Sequence, residues 1–591
     1  MYQYTDFDRL AVRNRATQFR DQLTRWQNGQ LSEDEFKPLR LQNGWYVQRF
    51  APMLRVAVPY GEINSAQLRV LAQVAREFDD KSAHDLSAFD PGLSDTAMLP
   101  DHCAHFTTRQ NLQFNWIPLA RAADVMDLLA SVNLHGIQTS GNCIRNTTSD
   151  AYAGIAPDEV ADPRPFAELI RQWSTLHPEF AFLPRKFKVA ISGATEDRAA
   201  TAWHDVGLRL WRNVEGELGF QVAAGGGMGR TPVIAPVIAP FVAWYDILNY
   251  LEAVIRVYNA YGRRDNLYKA RIKILIKAEG QAFIDAVDQE FAAILAHDGA
   301  AHRITDAELA RVSAMFSGVE RTCDPVSASA KIRNILEAAA HDDTEFERWL
   351  EHNVRAHKNP DLRAVTLSFK RLGYAPGDAT AQQLEAAADL AERFSASEAR
   401  VSHEQNLVLP WVRCDALPEL WAAARKLGLA KPNIGLLTDM IACPGGDFCA
   451  LANARSLPIA QAITERYQDL DELDDIGPVD LHMSGCMNSC GHHHSGHIGV
   501  LGVDKDGQEW YQITLGGSDG ARLGGAAIPG KVIGPSFAAE EVPDVIAALL
   551  DTYRELRAEG ERFVHTVRRI GVDPFKQAAN AVRTHTARVT A

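Results

Sequence analysis

Four of the chain's eight cysteines fall in two tight pairs, Ala442-Cys-Pro-Gly-Gly-Asp-Phe-Cys449 and Ser484-Gly-Cys-Met-Asn-Ser-Cys490. Five residues separate Cys443 from Cys449 and three separate Cys486 from Cys490. Zinc ribbons and knuckles prefer pairs separated by roughly two to four residues, which close a tight turn around one tetrahedral ion. The first pair is too wide for that pattern. Four thiolates from two loops can instead occupy the corners of an iron–sulfur cube, and the glycines and proline beside them let the backbone come close without Cβ clashes. An iron–sulfur cluster on Cys443, Cys449, Cys486 and Cys490 is therefore the expected chemistry; structural zinc and four buried unligated cysteines are the alternatives. Eight cysteines in 591 residues are too few for a disulfide scaffold and point to a reducing compartment.

The elements that must position those loops are described twice. Gly61-Glu-Ile-Asn-Ser-Ala-Gln-Leu68, followed by apolar Leu71, Val74, Ala75 and Phe78, matches Gly377-Asp-Ala-Thr-Ala-Gln-Gln-Leu384, followed by Ala387, Leu390, Ala391 and Phe394. The spacing of three and four predicts one buried helix face, with Asn64 and Thr380 as N-caps. Thr108-Arg-Gln-Asn-Leu112 with Trp116 recurs as His403-Glu-Gln-Asn-Leu407 with Trp411, and both read as extended segments. Lys188-Val-Ala-Ile-Ser-Gly193 pairs with Asp480-Leu-His-Met-Ser-Gly485, and Gly225-Gly-Gly-Met-Gly-Arg230 with Gly516-Gly-Ser-Asp-Gly520. Four echoes in one order predict an α+β fold of two halves about a pseudo-twofold axis, with a ligand cleft between them. Each half should hold a small αβ unit, about residues 50–120 and 350–415, and a larger one.

Composition is ordinary for a large globular chain, 46% hydrophobic and 23% charged, with several domains expected. A net charge of −14 argues against nucleic acid, whose phosphates need a basic face. Any anion site must then be a local concentration of Arg and Lys. The start, Met-Tyr-Gln-Tyr-Thr-Asp-Phe-Asp-Arg, lacks the apolar stretch of a secretory signal, and a cytoplasmic location is expected. The most apolar run, Thr231 to Tyr245, is broken by Pro232, Pro236 and Pro240 and is shorter than the roughly 20 residues that cross a bilayer. It reads as a buried loop or strand edge, with no membrane partner.

The cysteine pattern and the duplication together resemble the sirohaem-dependent sulfite and nitrite reductases, over roughly Tyr46 to Gly525. The resemblance implies two halves, each a small ferredoxin-like αβ unit plus a larger sirohaem- or cluster-binding αβ unit. In residue numbers these are an N-terminal helical arm (1–45), ferredoxin-like half-domains (46–120 and 346–415), a sirohaem and substrate domain (121–345) and a cluster and sirohaem domain (416–591). It implies sirohaem and a [4Fe–4S] cluster as cofactors, with Cys490 shared between a cluster iron and the haem iron. It implies a substrate pocket of Arg55, Arg145, Lys186 and Lys188, since a small hydrated oxyanion beside a haem must exchange water for fixed cations. Alternate residues of a strand point the same way, so both lysines can reach one pocket. For the eight carboxylates of sirohaem it puts forward Thr107, Arg109 and Gln113, then Arg230 and Asn488. Glu404 replaces Arg109 in the second half.

Set against the repeat, the Arg145 loop is expected to occupy the place of the Cys443 loop, and the Lys188 strand that of the strand leading to Cys486. Lys186-x-Lys188, where plant-type nitrite reducers of the family carry Lys-x-Asn, favours the dianion sulfite over nitrite on Coulomb grounds. The implied activity is assimilatory six-electron reduction of sulfite to sulfide, with nitrite reduction to ammonia as the alternative and a non-catalytic electron carrier below both. With no flavin or nicotinamide fingerprint, electrons must come from another protein, ferredoxin or a separate flavoprotein subunit. His105 stands where some members have an Arg, which removes one expected sirohaem contact. In some ferredoxin-linked members a Tyr and a Cys at the positions of Tyr46 and Cys143 are joined covalently. Cys103, Cys323 and Cys414 read as packing residues, and neither His492, His493, His494 and His497 nor the His102–His105 group is assigned a metal.

Overall fold

Asn64 and Thr380 both start helices. Each has an extended backbone and accepts the N–H of the residue three further on, Gln67 or Gln383, whose side chain returns to the cap's own N–H. This reciprocal box satisfies donors that a helix start otherwise leaves bare. The helices Ser65–Glu77 and Ala381–Phe394 pack on one another, burying Leu68, Leu71 and Val74 from one and Leu384, Ala387 and Ala391 from the other in a shared core. Alanines on the second helix let the two axes approach. The computed structural model describes residues 1–84, 100–297, 300–316, 343–520 and 525–589. Cys323 and residues 85–99 of the surface insertion anticipated between Asp79 and His102 lie outside them.

The first half contains β1 (Trp45–Val47), β2 (Pro52–Val56), β3 (Glu62–Asn64), β4 (Cys103–Phe106), β5 (Leu112–Phe114), β6 (Thr148–Ser149), β7 (Val189–Ser192), β8 (Val206–Arg212), β9 (Leu218–Ala224) and β10 (Val237–Ala243). The second contains β11 (Val354–Ala356), β12 (Leu362–Leu367), β13 (Asp378–Thr380), β14 (Glu398–Val401), β15 (Leu407–Arg413), β16 (Ile441–Ala442), β17 (Leu481–Ser484), β18 (Ile498–Lys505), β19 (Gln508–Leu515), β20 (Lys531–Val532) and β21 (Phe537–Ala538). They form sheets in the orders β1-β2-β5-β4-β13, β10-β9-β8-β7-β6, β11-β12-β15-β14-β3 and β16-β17-β18-β19-β20, with β21 also on β19.

The two small sheets exchange a strand. β13 of the second half pairs with β4, Asp378 opposite His105, and β3 of the first half pairs with β14, Glu62 opposite Arg400. Both small sheets therefore contain chain from both halves, and Phe106, Phe114, Leu367 and Leu409 share one core. In each large sheet the first three strands, β6-β7-β8 and β16-β17-β18, run parallel, and β9 and β19 then return antiparallel. This is the duplicated α+β architecture that the repeat predicts.

Two local readings need adjustment. Thr108 and His403 do not begin extended segments: Gln110 and Gln405 are left-handed, with φ of 57° and 62°, and the strands start at Leu112 and Leu407. In exchange, the Gln110 amide donates to Val401 O across the halves at 3.0 Å, and that of Gln405 donates to Phe106 O at 2.9 Å. The Thr231–Tyr245 run supplies the edge strand β10, where the missing N–H of Pro240 costs little of the ladder. At the N-terminus, helices Asp6–Gln27 and Glu33–Gln42 lie against the first half, stacking Phe19 between Phe36 and Trp45. No helix among the described residues is long and apolar enough to cross a membrane.

Candidate active site

Parallel neighbours place their carboxyl ends side by side, and the two cysteine loops leave from two such ends. Ala442 lies opposite Met483, so Cys443 directly follows β16 and Cys486 follows β17 by two residues. The loops are then bonded together. Cys443 N–H donates to Met483 O at 3.2 Å, Asn453 and Ala454 N–H donate to Gly485 O at 2.9 and 3.0 Å, and Gly485 N–H points at Cys443 Sγ at 3.2 Å. A Cβ on Gly491 would sit 1.7 Å from Met483 O, so only glycine lets the turn after Cys490 pass under β17.

Burial pushes the Cys443 thiol up to about 12, and the charge of Cys490 adds to that. Burial also raises Cys449 and Cys486, with Cys490 again a like charge on both. The four sulfurs thus share one electrostatic neighbourhood in which thiolates require a compensating positive centre. No three of them come within 4.8 Å of one another, whereas zinc at roughly 2.3 Å from each sulfur would draw them closer than that. The donor set fits an iron–sulfur cube.

Opposite Cys490 the first half contributes cations. Phe187 is buried and forms a parallel bridge with Ile144; Arg145 N–H donates to Phe187 O at 2.7 Å, and Phe187 N–H donates to Cys143 O at 3.0 Å. The bridge sets Arg145 beside Lys186 and Lys188, which flank Phe187 and are both half-buried. Burial, then Arg145, lowers Lys186 to about 8, and Cys490 acts on it as the opposing charge. Burial, Lys186 and Arg109 take Lys188 well below an ordinary lysine. Among the described residues neither ammonium has a carboxylate within ion-pair distance. Arg55, on β2, donates to Gln113 Oε1 at 3.0 Å and lies over the Tyr46 ring at 5.4 Å, and its buried Nε has no partner. Arg145 is held by the carbonyls of Thr139 and Gly141. Arg109, lowered to about 9 by burial despite Asp205, donates to Thr148 Oγ1 and Asn146 O at 2.9 and 2.7 Å. Five half-buried cations gathered here favour an anionic occupant, which sirohaem's carboxylates and an oxyanion would both supply.

The remaining expected residues divide. Thr107 Oγ1 accepts the N–H of Arg109 and of Asn111, so it builds the turn that presents Arg109. Gln113 serves Arg55. Asn488 is exposed between two cysteines and donates to Cys486. Arg230 is exposed at the end of a glycine loop that meets the Cys490 turn: His494 Nε2 faces Gly229 O at 2.8 Å. His105 is buried against Asp378 at 2.7 Å. Tyr46 Oη and Cys143 Sγ donate to the adjacent carbonyls of Thr139 and Ser140, at 3.0 and 3.2 Å.

The register overturns one inference from the repeat. Ser149 N–H donates to Gln110 Oε1, as Ala442 N–H does to Gln405 Oε1, so Ser149 matches Ala442 and Cys443 matches Asp150. Arg145 lies before its strand and Cys443 after the equivalent one. Basic residues occupy the amino ends, and cysteines the carboxyl ends, of matching strands; they are not substitutes at the same station. The sequence reading also missed Thr108, whose Oγ1 donates to Cys490 O at 2.9 Å, and His403, whose ring nitrogens face Thr108 O and Ser149 O at 3.1 Å each. It missed Lys273, which donates to the carbonyls of Gly227, Met228 and Thr231. Thr108 could have been found in the Thr-Thr-Arg-Gln run; Lys273 carries no spacing signal.

Comparison with known proteins agrees with this geometry. Residues 140–294 and 436–586 match the family model described as nitrite and sulphite reductase 4Fe-4S domain, and 48–84 and 364–427 match the nitrite/sulfite reductase ferredoxin-like half domain. A sulfite reductase [ferredoxin] 1 of Mycolicibacterium paratuberculosis is 29% identical, over 86% of this chain and 81% of its own length. A ferredoxin–nitrite reductase of Synechococcus elongatus is also 29% identical, over 84% and 85%. The solved structure of the Mycobacterium tuberculosis NirA protein superposes with a TM-score of 0.70 at 25% identity, covering 92% of each chain.

Proposed function

Because the chain belongs to the nitrite and sulphite reductase family, we propose that it is a sulfite reductase that takes its anion in the cleft of Arg55, Arg145, Lys186 and Lys188. It is an oxidoreductase, and its cofactors are sirohaem and a [4Fe–4S] cluster. Bound, these would supply the redox chemistry: Cys443, Cys449, Cys486 and Cys490 would hold the cluster, and Cys490 would also serve the sirohaem. The observation that carries the choice of sulfite is the Lys186-Phe187-Lys188 alternation, which lets both ammonium groups serve one anion. A dianion gains about twice the Coulomb energy of a monoanion from that second charge.

The chain's own side chains divide the remaining work. Arg55, fixed by Gln113 and Tyr46, and Arg145, fixed by its loop carbonyls, are oriented donors for substrate oxygens. Lys186 gives up a proton more readily than a free lysine because burial and Arg145 disfavour its charge, which suits delivery to an oxygen that departs as water. Arg109, with Arg230 and Asn488 at the rim, meets the macrocycle's carboxylates. The names of both relatives support ferredoxin as the electron donor.

Nitrite reduction is the second reading, favoured by the equal identity to the Synechococcus enzyme. Turnover of sulfite and of nitrite by cofactor-loaded protein, driven by reduced methyl viologen, separates the two. Higher kcat/KM for sulfite is expected. A reversed ratio makes the chain a nitrite reductase, and turnover of neither anion removes the catalytic reading.

A further inference from the structure

Among the cations of the cleft, one buried carboxylate occupies a station that the second half fills differently. Asp205, the residue before β8, is fully buried. One of its oxygens accepts the backbone N–H of Lys188 at 2.9 Å, and the other accepts Nε and Nη2 of Arg271 at 2.9 and 2.7 Å. Its carbonyl accepts the N–H of Gly225, where the glycine loop begins, at 2.9 Å. In the second half this station is His497. Its Nδ1 accepts the N–H of Asp480 at 3.1 Å, and its carbonyl accepts that of Gly516 at 2.9 Å. An imidazole nitrogen thus performs the same backbone task, so bracing this strand does not require a carboxylate.

The charges around Asp205 supply the reason for one. Lys188 faces Lys186, Arg109 and Arg271, and Asp205 is the charge that opposes them. His204 and His492 lie beside the same ammonium, held toward the neutral form by burial. Lys186 in turn faces Arg145, Arg271, Arg185 and Cys490. Asp205 is likewise the opposing charge for Arg109 and Lys273.

We propose that Asp205 and Arg271 are a positioning pair for the anion pocket: Asp205 fixes the Lys188 backbone and supplies the negative charge that keeps the Lys188 ammonium protonated, while Arg271 moderates that charge. The pair thereby sets the pH range over which the cleft holds an anion. The inference rests on reading the cleft as an oxyanion site. Losing one unit charge several ångströms away, at the effective dielectric of a protein site, moves a neighbouring group by about one to three pH units. Loss of Asp205 leaves Lys188 less ready to hold its proton, and loss of Arg271 leaves it readier.

The test is a nitrite titration of wild-type, Asp205→Asn and Arg271→Gln holoenzyme, followed by haem absorption from neutral to alkaline pH, where nitrite keeps a constant charge. Asparagine retains an acceptor for the Lys188 N–H but loses the charge and, with it, the acceptor for the two Arg271 hydrogen bonds. Affinity for nitrite should fall as pH rises in all three proteins. The midpoint of that fall should move down by about one pH unit or more in Asp205→Asn and up by about one unit or more in Arg271→Gln. A brace without an electrostatic role would weaken binding at every pH and leave the midpoint in place; unchanged midpoints, or movement in the same direction in both variants, overturn the proposal. Should Asp205→Asn not load haem, Arg271→Gln decides alone, an upward move supporting the pair and any other result overturning it. Wild-type haem that binds neither nitrite nor sulfite would overturn the oxyanion reading and the pair's role with it.

Discussion

At the scale of single residues, the proposed preference for sulfite rests on Lys188, whose ammonium would favour a dianion over a monoanion. Lys188→Asn should lower kcat/KM for sulfite about tenfold or more, and that for nitrite distinctly less, since about 1.4 kcal/mol of lost ion attraction corresponds to a factor of ten. Equal losses for the two anions would remove the basis for choosing sulfite. Arg109→Met should lower haem content per polypeptide while leaving acid-labile sulfide in place, because Arg109 belongs to the first half and bonds to Thr148 and Asn146; unchanged haem content would show that it does not serve the macrocycle. The cysteines and the Lys-x-Lys pair were legible because their spacing carries their chemistry. Asp205 and His403 were not, since each acts through contacts with residues distant in sequence that only the fold brings near.

At the scale of elements, the repeat revealed the matching helices and strands because caps and apolar periodicity are local. It could not reveal that β3 and β13 change places, since pairing between halves leaves no trace in spacing. The same blindness misplaced Arg145. Sequence similarity aligns segments, but which end of a strand carries a loop emerges only from register, here fixed by Gln110 on Ser149 and Gln405 on Ala442. The exchanged strand also bears the buried His105–Asp378 contact at 2.7 Å. Asp378→Ala should therefore cost about 2–4 kcal/mol, the expense of stranding a buried polar partner. Chemical denaturation of the apoprotein should record it as a lower midpoint with little change in slope; a change below about 0.5 kcal/mol would show that the pair does not hold the exchange.

For the molecule as a whole, the interlocked small sheets and their common core make the halves one folding unit. Residues 1–345 expressed alone lack β13 and the helix Ala381–Phe394, and should not give a monomer with a native near-ultraviolet circular dichroism signal; such a monomer would contradict the interlock. The proposed anion site draws on both halves, since Lys186 of the first feels the charge of Cys490 in the second. Substitution of Cys490 tests most directly whether its sulfur serves both redox centres. Cys490→Ser protein, purified anaerobically, should show an altered haem absorption spectrum together with loss of sulfite turnover. A variant that keeps its iron and acid-labile sulfide, an unchanged haem spectrum and wild-type turnover would contradict the account.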